Sequence, residues 1–328
     1  MAARTLEKIT VVVTVTMLGV ALAAGVGAAP AALLAVALVV TVSAGMDLVL
    51  RGEARYHPTP DLFILPAALV VGAVLFLPLL ASGAAIVAGL VVFGALLFAV
   101  FWFEHAMRAG QLDHRQGETV LTLITYVAAF TLYAAIYQLK TRTLISAPAI
   151  LLVTLLLATR QLRLVQEGAR LSETAGPAGD GQANAVPSAV PAGATAATAR
   201  PASVPSPRGD GPASHTPAAG ARTGTTSAQQ AIVAPRARRQ AGSGWGQALS
   251  YAAVVALAVS EITWALNYWP LNGLFGGAFL LSTYYFLVGT LSHHLQGRLT
   301  ARLVAEYGAV AGMGMLLLAL TGLTRRAA

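Results

Sequence analysis

The residues best able to do chemistry lie around one acid. Glu261 stands in a long apolar run, 14 residues after Gln247 and eight before Trp269. An ionised carboxylate at such a depth costs about 2.5–3.5 kcal/mol on insertion scales, so it needs a partner or a task. At 100° per residue Ser260, Glu261, Trp264, Asn267 and Tyr268 fall on one helical arc. This stripe should face protein or a water-filled cavity, where Glu261 could respond to protons or cations or hold a substrate. A protonated Glu261, hydrogen-bonded to a neighbouring hydroxyl or amide, is the purely structural alternative. Tyr133 reaches the same depth on another apolar run, with Tyr137 one turn beyond and Lys140 and Arg142 just after it. The expectation is that Glu261 meets Tyr133, Tyr137 or Lys140.

A second set is scattered through short polar connections. His57, His105, His114, His293 and His294 share one side of the expected topology with Glu53, Asp61, Glu104, Asp113, Glu118 and Glu306. His and carboxylate groups could gather a divalent metal or shuttle protons, with Arg298 beside them. The spacing commits to neither. There is no His-Glu-x-x-His, and adjacent His293 and His294 diverge on a helix, so no metal site is assigned. Phosphate-binding loops, dinucleotide-binding glycines and nucleophile elbows are not found. With no cysteine, thiolate chemistry, disulfides and iron–sulfur clusters are excluded. No cofactor follows from the residues.

The elements that must position these groups are transmembrane helices. Of 328 residues, 56% are hydrophobic and only 10% charged, and the mean hydropathy is +0.70. A soluble domain carries about a quarter charged residues, so an ordinary soluble enzyme is excluded. A bilayer core of about 30 Å needs roughly 20 apolar residues per helical crossing. Nine windows qualify: 9–29, 31–50, 62–81, 84–103, 119–139, 143–159, 247–269, 272–291 and 303–323. The fold class is therefore an all-α integral membrane protein of about nine transmembrane helices. Pro30 is the expected break between the first two spans. Arg4 and Lys8 before an apolar run resemble a signal peptide, but the length of that run and the span after it favour an uncleaved helix.

Charge orients the chain. All but four of the 21 Lys and Arg fall on one side when spans alternate. Short cytoplasmic loops collect such residues, so the expectation is a multi-pass inner-membrane protein with its N-terminus cytoplasmic and its C-terminus outside. The net charge of +8 is then a matter of topology, and a nucleic-acid partner is not implied. Residues 172–244 hold nine of the 16 prolines and no aromatic residue, a composition that predicts a disordered linker. It separates a six-span block, 1–171, from a three-span block, 245–328. Arg160, Arg163, Glu167 and Arg170 share a helical stripe, so span six should continue into the cytoplasm. Glu167 can pair with Arg163 or Arg170 across one turn.

Small residues four apart, Gly19/Ala23/Gly27, Gly273/Gly277 and Gly308/Gly312, permit close helix packing or self-association in lipid. A faint repeat relates spans three to five with seven to nine. Pro78 and Pro270 end the first spans, and His105 and His293 each stand 13 residues before an acid, Glu118 and Glu306.

Residues 261–299, EITWALNYWPLNGLFGGAFLLSTYYFLVGTLSHHLQGRL, resemble an uncharacterised group of bacterial polytopic membrane proteins of unknown function. The resemblance implies a bacterial inner-membrane home and no particular activity. Three functional readings follow. The leading one is a transporter-like or permease-like component with Glu261 in a cavity. The alternative is a non-catalytic scaffold or assembly protein, binding lipid and other proteins. The third is an intramembrane enzyme with a cytoplasmic-face His and acid site.

Overall fold

The computed structural model describes residues 2–51, 59–139, 143–174, 226–269 and 272–327. Among these there is no strand, and nine α-helices follow one another: α1 (Ala2–Gly25), α2 (Ala28–Leu50), α3 (Asp61–Phe76), α4 (Gly83–Arg108), α5 (His114–Gln138), α6 (Thr143–Thr174), α7 (Thr226–Leu266), α8 (Gly273–Leu295) and α9 (Ala301–Ala327). Each, α3 together with the short turn Leu77–Leu79 after it, is long and apolar enough to cross a membrane. In hydrocarbon every backbone N–H and C=O must be satisfied within the segment, which is why such runs fold as helices.

Polar and special residues mark the ends. Ser82 and Asn272 cap α4 and α8, their side chains accepting from the N–H groups of Ala85 and Phe275. Both helices close alike, on Gly110 (φ +69°) and Gly297 (φ +66°). The N–H groups of Gln111 and Arg298 reach back to the carbonyls of Ala106 and His293, a pattern that needs a left-handed residue glycine supplies without strain. Pro78 lies in a 3-10 turn, Leu77–Leu79, after α3. Pro30 does not break the first two spans. The break is at Val26-Gly27, and Pro30 sits in the first turn of α2, where its missing N–H would have had no helical partner anyway.

The centre of the bundle is the α5–α8 contact. A Cβ on Gly277 would fall 2.7 Å from the backbone N and Cα of Ala134, and one on Gly276 would fall 2.5 Å from the Tyr137 ring. Only glycine allows this approach, which replaces hydrophobic driving force with close packing. The Gly273 N–H is capped by the Gln138 Oε1 at 2.7 Å. Gly273 and Gly277 thus serve packing within the chain. Around this pair, α5 to α8 share one core containing Tyr133, Leu157, Val255 and Tyr284. A second core joins α1 to α4 with the start of α5, through Met46, Leu65, Leu97 and Phe101. Gly289 on α8 lies against the Tyr307 ring of α9, and α9 is otherwise mostly exposed, as Val310, Met313 and Leu316 show.

The two sequence blocks are not separate bodies. The described residues of both blocks belong to one compact unit, which breaks off at Glu173 and resumes at Ala241. Helix α7 begins at Thr226, inside the stretch expected to be linker, and residues 175–225 lie outside the described residues.

Candidate functional site

Consecutive helices alternate direction, so the bundle has an arginine-rich end, with the α4–α5 and α8–α9 connections, and an arginine-poor end, with the α5–α6 and α7–α8 connections. The intramembrane stripe lies on α7 near the arginine-poor end. Its edge towards α6 is tied down: the Ser260 hydroxyl donates to the Ala147 carbonyl at 3.1 Å, and the Asn267 amide to the Ser146 hydroxyl at 3.4 Å. Glu261, Trp264 and Tyr268 point away from the bundle and are exposed, the last two by 56% and 73%. Their rings meet edge to face, with centroids 5.5 Å apart.

The expected contact of Glu261 with α5 is therefore corrected. Tyr133 is buried and its hydroxyl pairs with Thr154 at 2.8 Å. Tyr137 does join α5 to α7, by donating to the carbonyls of Leu266 at 2.7 Å and Trp269 at 3.3 Å. The physical reason is helix termination. Leu266 ends α7, so its carbonyl has no donor one full helical turn on and accepts instead from the Trp269 N–H at 2.9 Å and from the phenol. Leu266 lies about 140° around the helix from Glu261, so the same contact turns the acid outward. Lys140 lies outside the described residues.

At the other end several of the polar candidates enter separate pairs. His293 pairs through Nε2 with the Tyr307 hydroxyl at 3.2 Å, while His294 sets its ring on Tyr251. Glu306 is an exposed partner of Arg302 at 2.9 Å. Arg298 is exposed, Glu118 is half-buried, and His105 is buried on α4. Among the described residues no three His, Asp or Glu side chains converge as a metal site.

What the arginine-rich end does contain is a buried ion network. Glu104 on α4 accepts from Arg160 on α6 at 2.7 Å, with side chains 6% and 3% exposed. Arg160 also reaches the Thr125 hydroxyl of α5 at 3.5 Å, and Arg108 lies 3.7 Å from the other Glu104 oxygen. Beside them Gln161 donates to Thr122 at 3.1 Å. Arg163 pairs with Asp61 at the start of α3 and with Glu167 at 3.4 Å, and its guanidinium covers the Trp245 ring at 5.0 Å. Helices α3 to α7 are thus tied at one level by charges that neutralise one another. The Glu167–Arg163 pair is legible from its four-residue spacing. The Glu104–Arg160 and Asp61–Arg163 pairs are not, because their partners are 56 and 102 residues apart.

A lateral groove lies between α7, α8 and α9. It encloses about 600 Å³ and is lined by Ile262, Leu266, Trp269, Phe279, Thr283 and Gly312, among others. Nearly all of this lining is apolar. Trp269 and Phe279 meet edge to face at one end, 6.5 Å between centroids.

Helices of this length and hydropathy, packed through glycine and carrying charge mainly in mutual pairs, define a polytopic α-helical membrane protein. The family model described as "Protein of unknown function (DUF5656)" matches residues 9–179 and 231–321. The chain belongs to that family. No curated protein and no solved structure matches it.

Proposed function

We propose that the protein is a transporter-like or permease-like membrane component that takes up an amphiphile sideways from one leaflet. The groove between α7, α8 and α9 carries this reading. A lining made almost wholly of apolar side chains suits a hydrocarbon chain and disfavours a hydrophilic solute, whose hydrogen bonds would go unmet. Glu261 stands at the groove's rim rather than inside an aqueous cavity, so the acid would meet a headgroup. The buried ion network would hold α3 to α7 as a rigid wall behind it. The charge count supports a cytoplasmic arginine-rich end and an N-terminus on that side; on this reading the groove would open to the outer leaflet of a bacterial inner membrane.

Tryptophan quenching tests the reading. A protein retaining only Trp269 of its four tryptophans, in nanodiscs, should be quenched by a bromoalkyl amphiphile at near-stoichiometric amounts. One retaining only Trp102, on α4 in the other core, should need far more. Equal quenching of both would remove the groove as a specific site. The exposed Glu261, Trp264 and Tyr268 stripe favours a second reading, an assembly protein that meets a partner helix there. Crosslinking from position 264 to another polypeptide, without selective quenching at Trp269, would support it.

A further inference from the structure

The groove and the outward stripe of α7 adjoin. Ala265 lines the groove and is only about 40° around the helix from Glu261 at 100° per residue. Tyr268 and Trp264 lie about 20° and 60° to the other side of Glu261. A carboxyl group, a phenol and an indole therefore stand together where α7 borders the groove. The two rings are already set edge to face, and both side chains are exposed. An acid and aromatic faces are the elements with which proteins hold an ammonium group. The acid also needs such a counter-charge in this setting, since an ionised carboxylate in hydrocarbon is costly alone.

Depth agrees with this pairing. Glu261 is five residues before the last residue of α7, Leu266, so it lies about 7–8 Å from the helix end. On α8 the groove extends to Phe286, 13 residues after Gly273, or about 20 Å from the same end. A headgroup at the level of Glu261 would leave its chain running deeper along α8 and α9. Gly312, midway along the α9 wall, presents open space, with nothing within 4 Å of a Cβ added there.

Resting on the amphiphile reading, we propose that the site selects an alkylammonium amphiphile. Its ammonium sits against the Glu261 carboxylate and the Trp264 and Tyr268 rings, and its chain fills the groove. The occupant is a single-chain cation. A zwitterionic lipid would bring a phosphate against the same acid and be disfavoured.

The test uses the full chain in a non-ionic maltoside, with native mass spectrometry counting bound dodecyltrimethylammonium, dodecyl sulfate and dodecanol. One dodecyltrimethylammonium should bind in preference to the other two. Glu261→Gln should weaken it at least tenfold while leaving dodecanol unchanged, and Glu261→Asp should retain most of the binding. Gly312→Leu, which adds a bulky side chain to the groove wall where a Cβ meets no neighbour, should abolish all three. If the three probes bind equally and Glu261→Gln changes nothing, while Gly312→Leu still abolishes binding, the cation selectivity is wrong and the amphiphile groove stands. If Gly312→Leu has no effect on any probe, the groove reading falls too. Size-exclusion profiles matching the parent confirm that each variant is folded.

Discussion

Replacing Glu104 by leucine should be among the most damaging single changes in the protein. Arg160 is 3% exposed and its Nη2 lies 2.7 Å from the Glu104 oxygen. With Glu104 gone, Arg160 keeps a hydrogen bond to the Thr125 hydroxyl at 3.5 Å, a neutral and distant acceptor. Removing one partner of a buried ion pair typically costs about 3–5 kcal/mol, because the other charge stays desolvated and uncompensated. The reverse change, Arg160→Leu, should cost less, since Glu104 retains Arg108 at 3.7 Å. Replacing both by leucine should recover most of the loss, because a buried pair exchanged for apolar groups is often close to neutral. The assay is reversible unfolding in mixed micelles by titration with dodecyl sulfate, run as a double-mutant cycle. A Glu104→Leu cost below about 1 kcal/mol, or two single effects that simply add, would refute the claim that these charges form one buried unit.

Gly277→Ala should destabilise by roughly 1–3 kcal/mol, the usual range for overpacking, because its Cβ would fall 2.7 Å from the Ala134 backbone; the same titration would show it, and a neutral result would mean α5 and α8 are further apart. Gly312→Ala should leave stability unchanged in that assay, since its Cβ meets open space. Tyr137→Phe should cost about 0.5–1.5 kcal/mol, one hydrogen bond, and amide exchange should quicken at the Leu266 end of α7, where the phenol binds the terminal carbonyl. A change confined to another helix would contradict that contact.

The helical class and the nine spans were legible from apolar run length alone, because lipid leaves the backbone few other solutions. Helix ends were less so. Pro30 looked like a break, yet proline fits the first turn of a helix as well as it ends one, and Gly27 proved to be the hinge. The direction of the α7 stripe was not legible either. Nothing in α7 itself reveals that Tyr137 and Ser146 fasten the other flank and leave Glu261 facing out. The buried network escaped for a related reason. Glu104 and Arg160 each look like interfacial charges in isolation, and only the approach of α4 to α6 makes them a pair. Gly273 and Gly277 did signal close packing, although their spacing could not say that the partner is Ala134 of the same chain.

The most direct test of the amphiphile groove is a density map of the protein in lipid nanodiscs containing dodecyltrimethylammonium. The account predicts an elongated feature between α7, α8 and α9, headed at Glu261 and ending near Phe286, that disappears in Gly312→Leu. A map in which α9 packs flush against α7 and closes the groove would contradict it.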